Sequence, residues 1–173
     1  KGHVGVASPD LRAADQGHSM RSLLAETGTR LEARPQLLDG LAVLLVVGGA
    51  ALRIYRSTAL SLWLDEGFTV LFARLPWDSV LGLHGAYDVH PPLYYALVKG
   101  VSLLLPEVVA GRYLSVFAGT ATLAVLYLLV VRIAGRPSAL VACLVLAVSP
   151  LAVWFSQEPR QDAVTGLALS ITV

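Results

Sequence analysis

Read for its polar and apolar positions, the chain alternates between charged stretches and long runs that have no polar face. Between Arg112 and Arg132 lie 19 uncharged residues, YLSVFAGTATLAVLYLLVV, and between Arg136 and Glu158 lie another 21, Pro137 to Gln157. A soluble helix keeps one side polar toward water; these runs keep none. About 20 apolar residues at 1.5 Å rise cross a hydrocarbon core of roughly 30 Å. The 18 residues between Arg34 and Arg53 hold a single charge, Asp39, and an apolar centre, LAVLLVVGGAAL. The pattern predicts membrane spans over about 36–54, 112–131 and 137–155. A further span begins at 163–173, where AVTGLALSITV runs without a charge, and a chain that stops inside such a run predicts a longer parent. The fold expected is all-α and integral to the membrane: a multi-span helical bundle whose structured first outer loop contains short interfacial helices.

The N-terminal 34 residues are a different material. They carry nine charges and no apolar period, which predicts a disordered cytoplasmic tail preceding a membrane domain over 35–173. They lack the apolar core and cleavage site of a signal peptide, and Met20 offers an alternative start. Arg21, Arg30 and Arg34 precede the first span, which puts the N-terminus in the cytoplasm and the first loop in the periplasm or its equivalent, across the plasma (inner) membrane. The stretch Pro91 to Pro106, PPLYYALVKGVSLLLP, reads as interfacial or as a short span. The interfacial reading is preferred, because Lys99 interrupts it and because it leaves the basic turn Arg132–Arg136 cytoplasmic. The span after that turn then delivers Gln157, Glu158, Arg160 and Asp162 to the side of the first loop.

Composition adds little beyond agreement. The chain is 55% hydrophobic and 14% charged, against roughly 45–50% and 25% for a soluble domain. A net charge of +1 gives no footing for a nucleic-acid partner. The lone Cys143 sits inside an apolar run, so there is no disulfide framework.

Charge near the membrane is where chemistry is sought, since ionisable residues there are expensive unless solvated or used. Asp65 and Glu66 are adjacent carboxylates just past the first span. They read equally as the N-cap and first residue of a short helix Glu66–Arg74. In His90-Pro91-Pro92-Leu93-Tyr94-Tyr95 the prolines make an extended entry to a helix, which accounts for neither His90 nor the paired tyrosines. Ser156 to Asp162, SQEPRQD, reads as a solvated connector with Arg160 at the headgroups, or as part of a site.

Four elements in order carry more than any one of them: WLDEG, then HPPLYY, then GRYLSVFAGTATLAVLYLL, then SPLAVWFSQEPRQDA. Together they resemble the C-type superfamily of membrane glycosyltransferases, and within it the bacterial relatives of protein O-mannosyltransferases and of lipid A aminoarabinose transferases. The likeness covers about Leu37 to Val173. It implies transfer of a sugar, mannose-like for the mannosyltransferase branch, from a polyprenyl-phosphate carrier to a lipid, glycan or protein acceptor at the outer face. It implies Asp65 as general base and Glu66 as the group that orients the acceptor or holds a divalent metal ion. Arg160, and more weakly His90 and Lys99, would meet the phosphate, with Glu158 beside them. Tyr94 and Tyr95 would wall the sugar or prenyl chain. Some relatives carry an acidic residue just before the Pro-Pro element, where this chain has only Asp88 and His90, so the metal ligands are not fixed by the sequence. The competing class is a multi-span transporter or assembly protein whose loop carboxylates are caps. Transporters place ionisable groups near the midplane, whereas the charges here cluster at the span ends.

Overall fold

The computed structural model describes residues 34–59, 61, 64–83 and 92–172. The expected tail up to residue 33, and His90 and Asp88, lie outside the described residues. All described elements are helical: α1 (Pro35–Ile54), α2 (Leu64–Arg74), α3 (Trp77–Val80), α4 (Pro92–Val101), α5 (Glu107–Val148), α6 (Pro150–Gln157) and α7 (Asp162–Thr172). Two of these, α1 and α5, are long and apolar enough to cross a membrane, and α7 is a shorter apolar helix.

The 42-residue α5 is not one rod. Gly135 sits at φ 79°, ψ 168°, outside helical space, and Pro137 follows it. Glycine adopts a positive φ without penalty, and the proline cannot donate to the turn before it. The chain therefore reverses between two arms, 107–134 and 136–148. Tyr127 packs with Ala139, and Leu123 with Cys143 and Ala147, as antiparallel arms require. The two apolar runs expected over 112–131 and 137–155 correspond to these arms, with one correction. The second run is interrupted at Ser149 (φ −60°, ψ 118°) before Pro150 opens α6. Proline denies its predecessor the helical region and removes an N–H. The Ser149 hydroxyl then accepts from the Ala152 amide at 3.4 Å and caps α6.

Helix α1 lies along both arms. Ala42 joins the Tyr127–Ala139 cluster, while Leu45 and Val46 reach the Leu123–Cys143–Ala147 cluster. The seam is built of small residues, Ala42, Gly49, Ala118, Gly119, Ala139 and Ala147, all buried. Small residues let helix backbones approach closely, which is how helices associate where no hydrophobic drive separates them from lipid. The large apolar side chains point away from the seam: Val43, Leu44, Val47, Phe117, Val141 and Val145 are each about 60% exposed or more. A protein surrounded by water buries such residues first.

The two ends of the bundle differ. At one end Asp39 Oδ1 accepts from the Tyr127 hydroxyl at 2.6 Å and from Arg136 Nε at 3.0 Å, tying the start of α1 to the reversal. At the other end the C-terminus of α1, the start of α5, α6 and the loop helices come together. There α4 packs on α5 through Tyr94, whose hydroxyl is shared with Gly111 O (3.3 Å) and Ser115 Oγ (3.2 Å). At ten residues, α4 is about 15 Å long by its helical rise, half of a hydrocarbon core.

Candidate functional site

At that second end the apolar pattern gives way to buried charge. Arg112 lies one turn and a half into α5 and is 2% exposed. Its Nη2 donates to Glu66 Oε2 at 3.3 Å, and its Nη1 to Ser57 O at 2.8 Å. Glu66 is 3% exposed, so this is an ion pair withdrawn from water, and it fastens the first turn of α2 onto α5. The third guanidinium nitrogen, Arg112 Nε, is buried with no hydrogen-bond partner among the described residues. A buried N–H left unpaired is a cost that proteins usually avoid.

The pair forms one wall of a cavity of about 270 Å³ lined by Arg56, Ser57, Ser61, Glu66, Arg112, Trp154, Gln157 and Glu158. The opposite wall comes from α6 and the residue after it. Glu158 is 7% exposed and accepts a short hydrogen bond from Trp154 Nε1. Burial pushes its carboxyl above the usual range, against the opposing pull of the Trp154 hydrogen bond and of Arg160. Gln157 Nε2 donates to Leu52 O (3.1 Å) and Tyr55 O (3.0 Å), which anchors this wall to the end of α1. Arg56, at the mouth, has φ 58°, a left-handed conformation uncommon for a residue with a side chain.

The positions singled out in the sequence are only partly gathered here. Glu66 and Glu158, 92 residues apart, face one cavity. Asp65 lies in the first turn of α2, which begins at Leu64; it is therefore inside the helix and not its N-cap, and α2 starts two residues earlier than Glu66–Arg74. Arg160 pairs with Asp162 at 3.6 Å and is not among the cavity-lining residues. Tyr94 and Tyr95 belong to a separate cluster with Ala73, Val80 and Val98; Tyr95 stacks on Phe72 at 5.1 Å. Burial raises the Tyr94 hydroxyl's pKa, as suits a group that serves as a fixed hydrogen-bonding post. Lys99 is committed elsewhere: Nζ donates to Ala73 O (3.1 Å) and Leu75 O (2.7 Å), capping α2 from below. Among the described residues no three His, Cys, Asp or Glu side chains come together as a metal set, and Glu66, the carboxylate suggested for a metal, is held by Arg112.

Arg112, Arg53 and Trp154 are the residues that sequence reading passed over. Arg53 marks only the end of an apolar run, and Arg112 enters only as such a boundary and within the GRYLSVFAGTATLAVLYLL element of the resemblance, with no role of its own. The available signal was that both are arginines directly abutting a span, within a turn of small residues.

Residues 89–173 match the family described as dolichyl-phosphate-mannose-protein mannosyltransferase. The match takes in α4, both arms of α5, α6 and α7, and leaves Asp65 and Glu66 outside it. No curated protein and no solved structure matches the chain.

Proposed function

We propose, from the match of residues 89–173 to the family described as dolichyl-phosphate-mannose-protein mannosyltransferase, that this chain contributes the sugar-transfer site of a C-type glycosyltransferase, working at the end of the bundle that holds the Glu66–Arg112–Glu158 cavity. The observation that carries the proposal is the convergence in one cavity of a locked carboxylate, a buried guanidinium with an unpaired Nε, and a second carboxyl on the opposite wall. Helix caps would need none of this.

The donor is a sugar on a polyprenyl phosphate, whose chain stays in the bilayer beside the exposed apolar flanks of α1 and α5. The acceptor hydroxyl attacks the anomeric carbon, the bond from that carbon to the phosphate oxygen breaks, and the lipid phosphate departs. Asp65 takes the acceptor proton as general base. Arg112, as a fixed positive charge in the wall, and Arg56 stabilise the phosphate as it leaves. They assume the role that the resemblance gave to Arg160. Glu66 does not react; its bond to Arg112 orients the first turn of α2, and with it Asp65. The bundle crosses the plasma membrane several times with this cavity at the outer face.

The test is transfer of labelled mannose from polyprenyl-phosphate mannose in vesicles. Asp65→Asn keeps the size of the side chain and removes the proton acceptor. Turnover should fall roughly 10²–10⁴-fold with helical content and membrane insertion unchanged. Near wild-type turnover would remove Asp65 from the reaction.

A further inference from the structure

Arg53 is the most enclosed charged group among the described residues, at 1% exposed. Among the described residues it has no carboxylate as a hydrogen-bond partner. Nε donates to Ser156 Oγ at 3.1 Å, Nη1 to Gly49 O at 3.1 Å and to Ala147 O at 3.3 Å, and Nη2 to Leu146 O at 3.3 Å. Two of these acceptors have a specific origin. In an uninterrupted helix Leu146 O would receive the N–H of residue 150, and residue 150 is proline, which has none. Leu146 and Ala147 thus end the arm 136–148 with unsatisfied carbonyls at the negative end of its dipole. Ser156 lies on the other side of the break, in α6.

We propose that Arg53 is a positioning residue: its guanidinium clasps both sides of the Ser149–Pro150 break and so holds Trp154, Gln157 and Glu158 as a wall of the cavity. The planar fork is suited to this, since separate nitrogens reach the two sides at once. Room for it is provided by Gly49, one turn earlier on α1 itself, and by Gly119 on α5. A Cβ on Gly49 would stand 3.3 Å from Nη1, and a Cβ on Gly119 would stand 3.2 Å from Nε and collide with Ser156 Oγ. The second tie, from Gln157 to the end of α1, holds the far end of the same helix. Together α1 grips α6 at two points one residue apart, and the bend at Pro150 is the joint whose angle they set.

A guanidinium buried only to satisfy carbonyls would act on stability alone; a clasp also sets where α6 lies. Spin labels on Val43→Cys and Phe155→Cys, both exposed positions, in a Cys143→Ala background, report the distance from α1 to the far end of α6 in lipid nanodiscs. The unmodified clasp should give one narrow distance. In Arg53→Met the distribution should broaden or shift: α6 is eight residues, about 12 Å long, so a swing of about 30° moves its end roughly 6 Å. Pro150→Ala restores an N–H for Leu146 O and permits a straight helix. Adding it to Arg53→Met should recover resistance to unfolding while leaving the distance displaced. Should Arg53→Met fail to fold, Ser156→Ala removes only the contact beyond the break and should broaden the distribution. The proposal is overturned if the double variant regains the native distance together with stability, or if every folded variant keeps the native distance. Because the readout uses no ligand, loss of sugar transfer with an intact distance would count against the proposed function and leave the clasp standing.

Discussion

Removing Arg112 should be the most damaging single change near the cavity. Both side chains of the Arg112–Glu66 pair are 3% exposed, so neither charge can turn to water when its partner is lost. Breaking such a pair from one side typically costs about 3–5 kcal/mol, mostly from the stranded charge. Arg112→Met would also leave Ser57 O without its 2.8 Å donor. At 1.36 kcal/mol per decade, a loss of about 4 kcal/mol is about a thousandfold in the folding equilibrium. Arg112→Met paired with Glu66→Leu removes both charges, and buried pairs replaced by apolar residues are often neutral in stability. The double variant should therefore be more stable than Arg112→Met, with a coupling of about 2 kcal/mol or more. Titration with a denaturing detergent in mixed micelles, followed by helical circular dichroism, measures all four members of the cycle. Arg112→Met within about 1 kcal/mol of wild type, or additive single effects, would mean that the pair is solvated and that the buried-site argument is wrong.

Three further outcomes follow from particular residues. Glu158 is an acid whose native pKa is raised, so its stabilising contribution is complete below the unfolded value of about 4.5 and is lost as pH rises through the native value. Glu158→Gln should gain on wild type as pH rises from 4 to 8 in the same titration, and a pH-independent difference would refute that. Gly119→Ala, whose Cβ would meet Ser156, should destabilise by about 1–3 kcal/mol. Gly48→Ala meets no atom within 4 Å and should be neutral or stabilising by up to about 1 kcal/mol; the reverse order would contradict the packing of α1. Single cysteines at exposed Ser61 and at Arg160 should label from outside the cell, and one at Ile133 only after the membrane is opened. Opposite accessibility of 61 and 160 would separate the two walls of the cavity.

What could be read from the sequence was whatever is coded locally. An apolar run announces itself within 20 residues, so α1 and the two arms of α5 were foreseen, and so was the reversal at Arg132–Arg136, where charge, Gly135 and Pro137 coincide. Pro150 carries the signal for the second break, although apolar residues flank it on both sides. The cavity was legible in part. Its carboxylates stood out because charge is conspicuous beside an apolar run. Arg112 did not, because its meaning lies in Glu66, 46 residues away. Arg53 was harder still, because its partners are carbonyls and a serine 93 to 103 residues distant, and carbonyls leave no trace in a sequence. Lys99 misled for the same reason: the ammonium was visible and the ends of α2 were not.

The cost of burying charge separates the two ends of the bundle. At the Asp39 end the ion pair with Arg136 is 39% and 48% exposed; such pairs are worth about 0–1 kcal/mol and tolerate some play. The other end buries Arg53, Glu66, Arg112 and Glu158, each under 8% exposed. Stability alone gives no reason for that, since apolar residues of similar volume would often do as well. Charged groups have one property that leucine lacks: their hydrogen bonds are directional, and they fix the angle as well as the distance between the elements they join. Arg112 fixes α2 against α5, and Arg53 fixes α6 against α1 and the second arm of α5. The cavity lies between the two elements so fixed. The proposed reaction would hold a lipid phosphate, a sugar carbon and an attacking hydroxyl in line, which requires walls placed to within fractions of an ångström; in this chain both walls are set by a buried arginine.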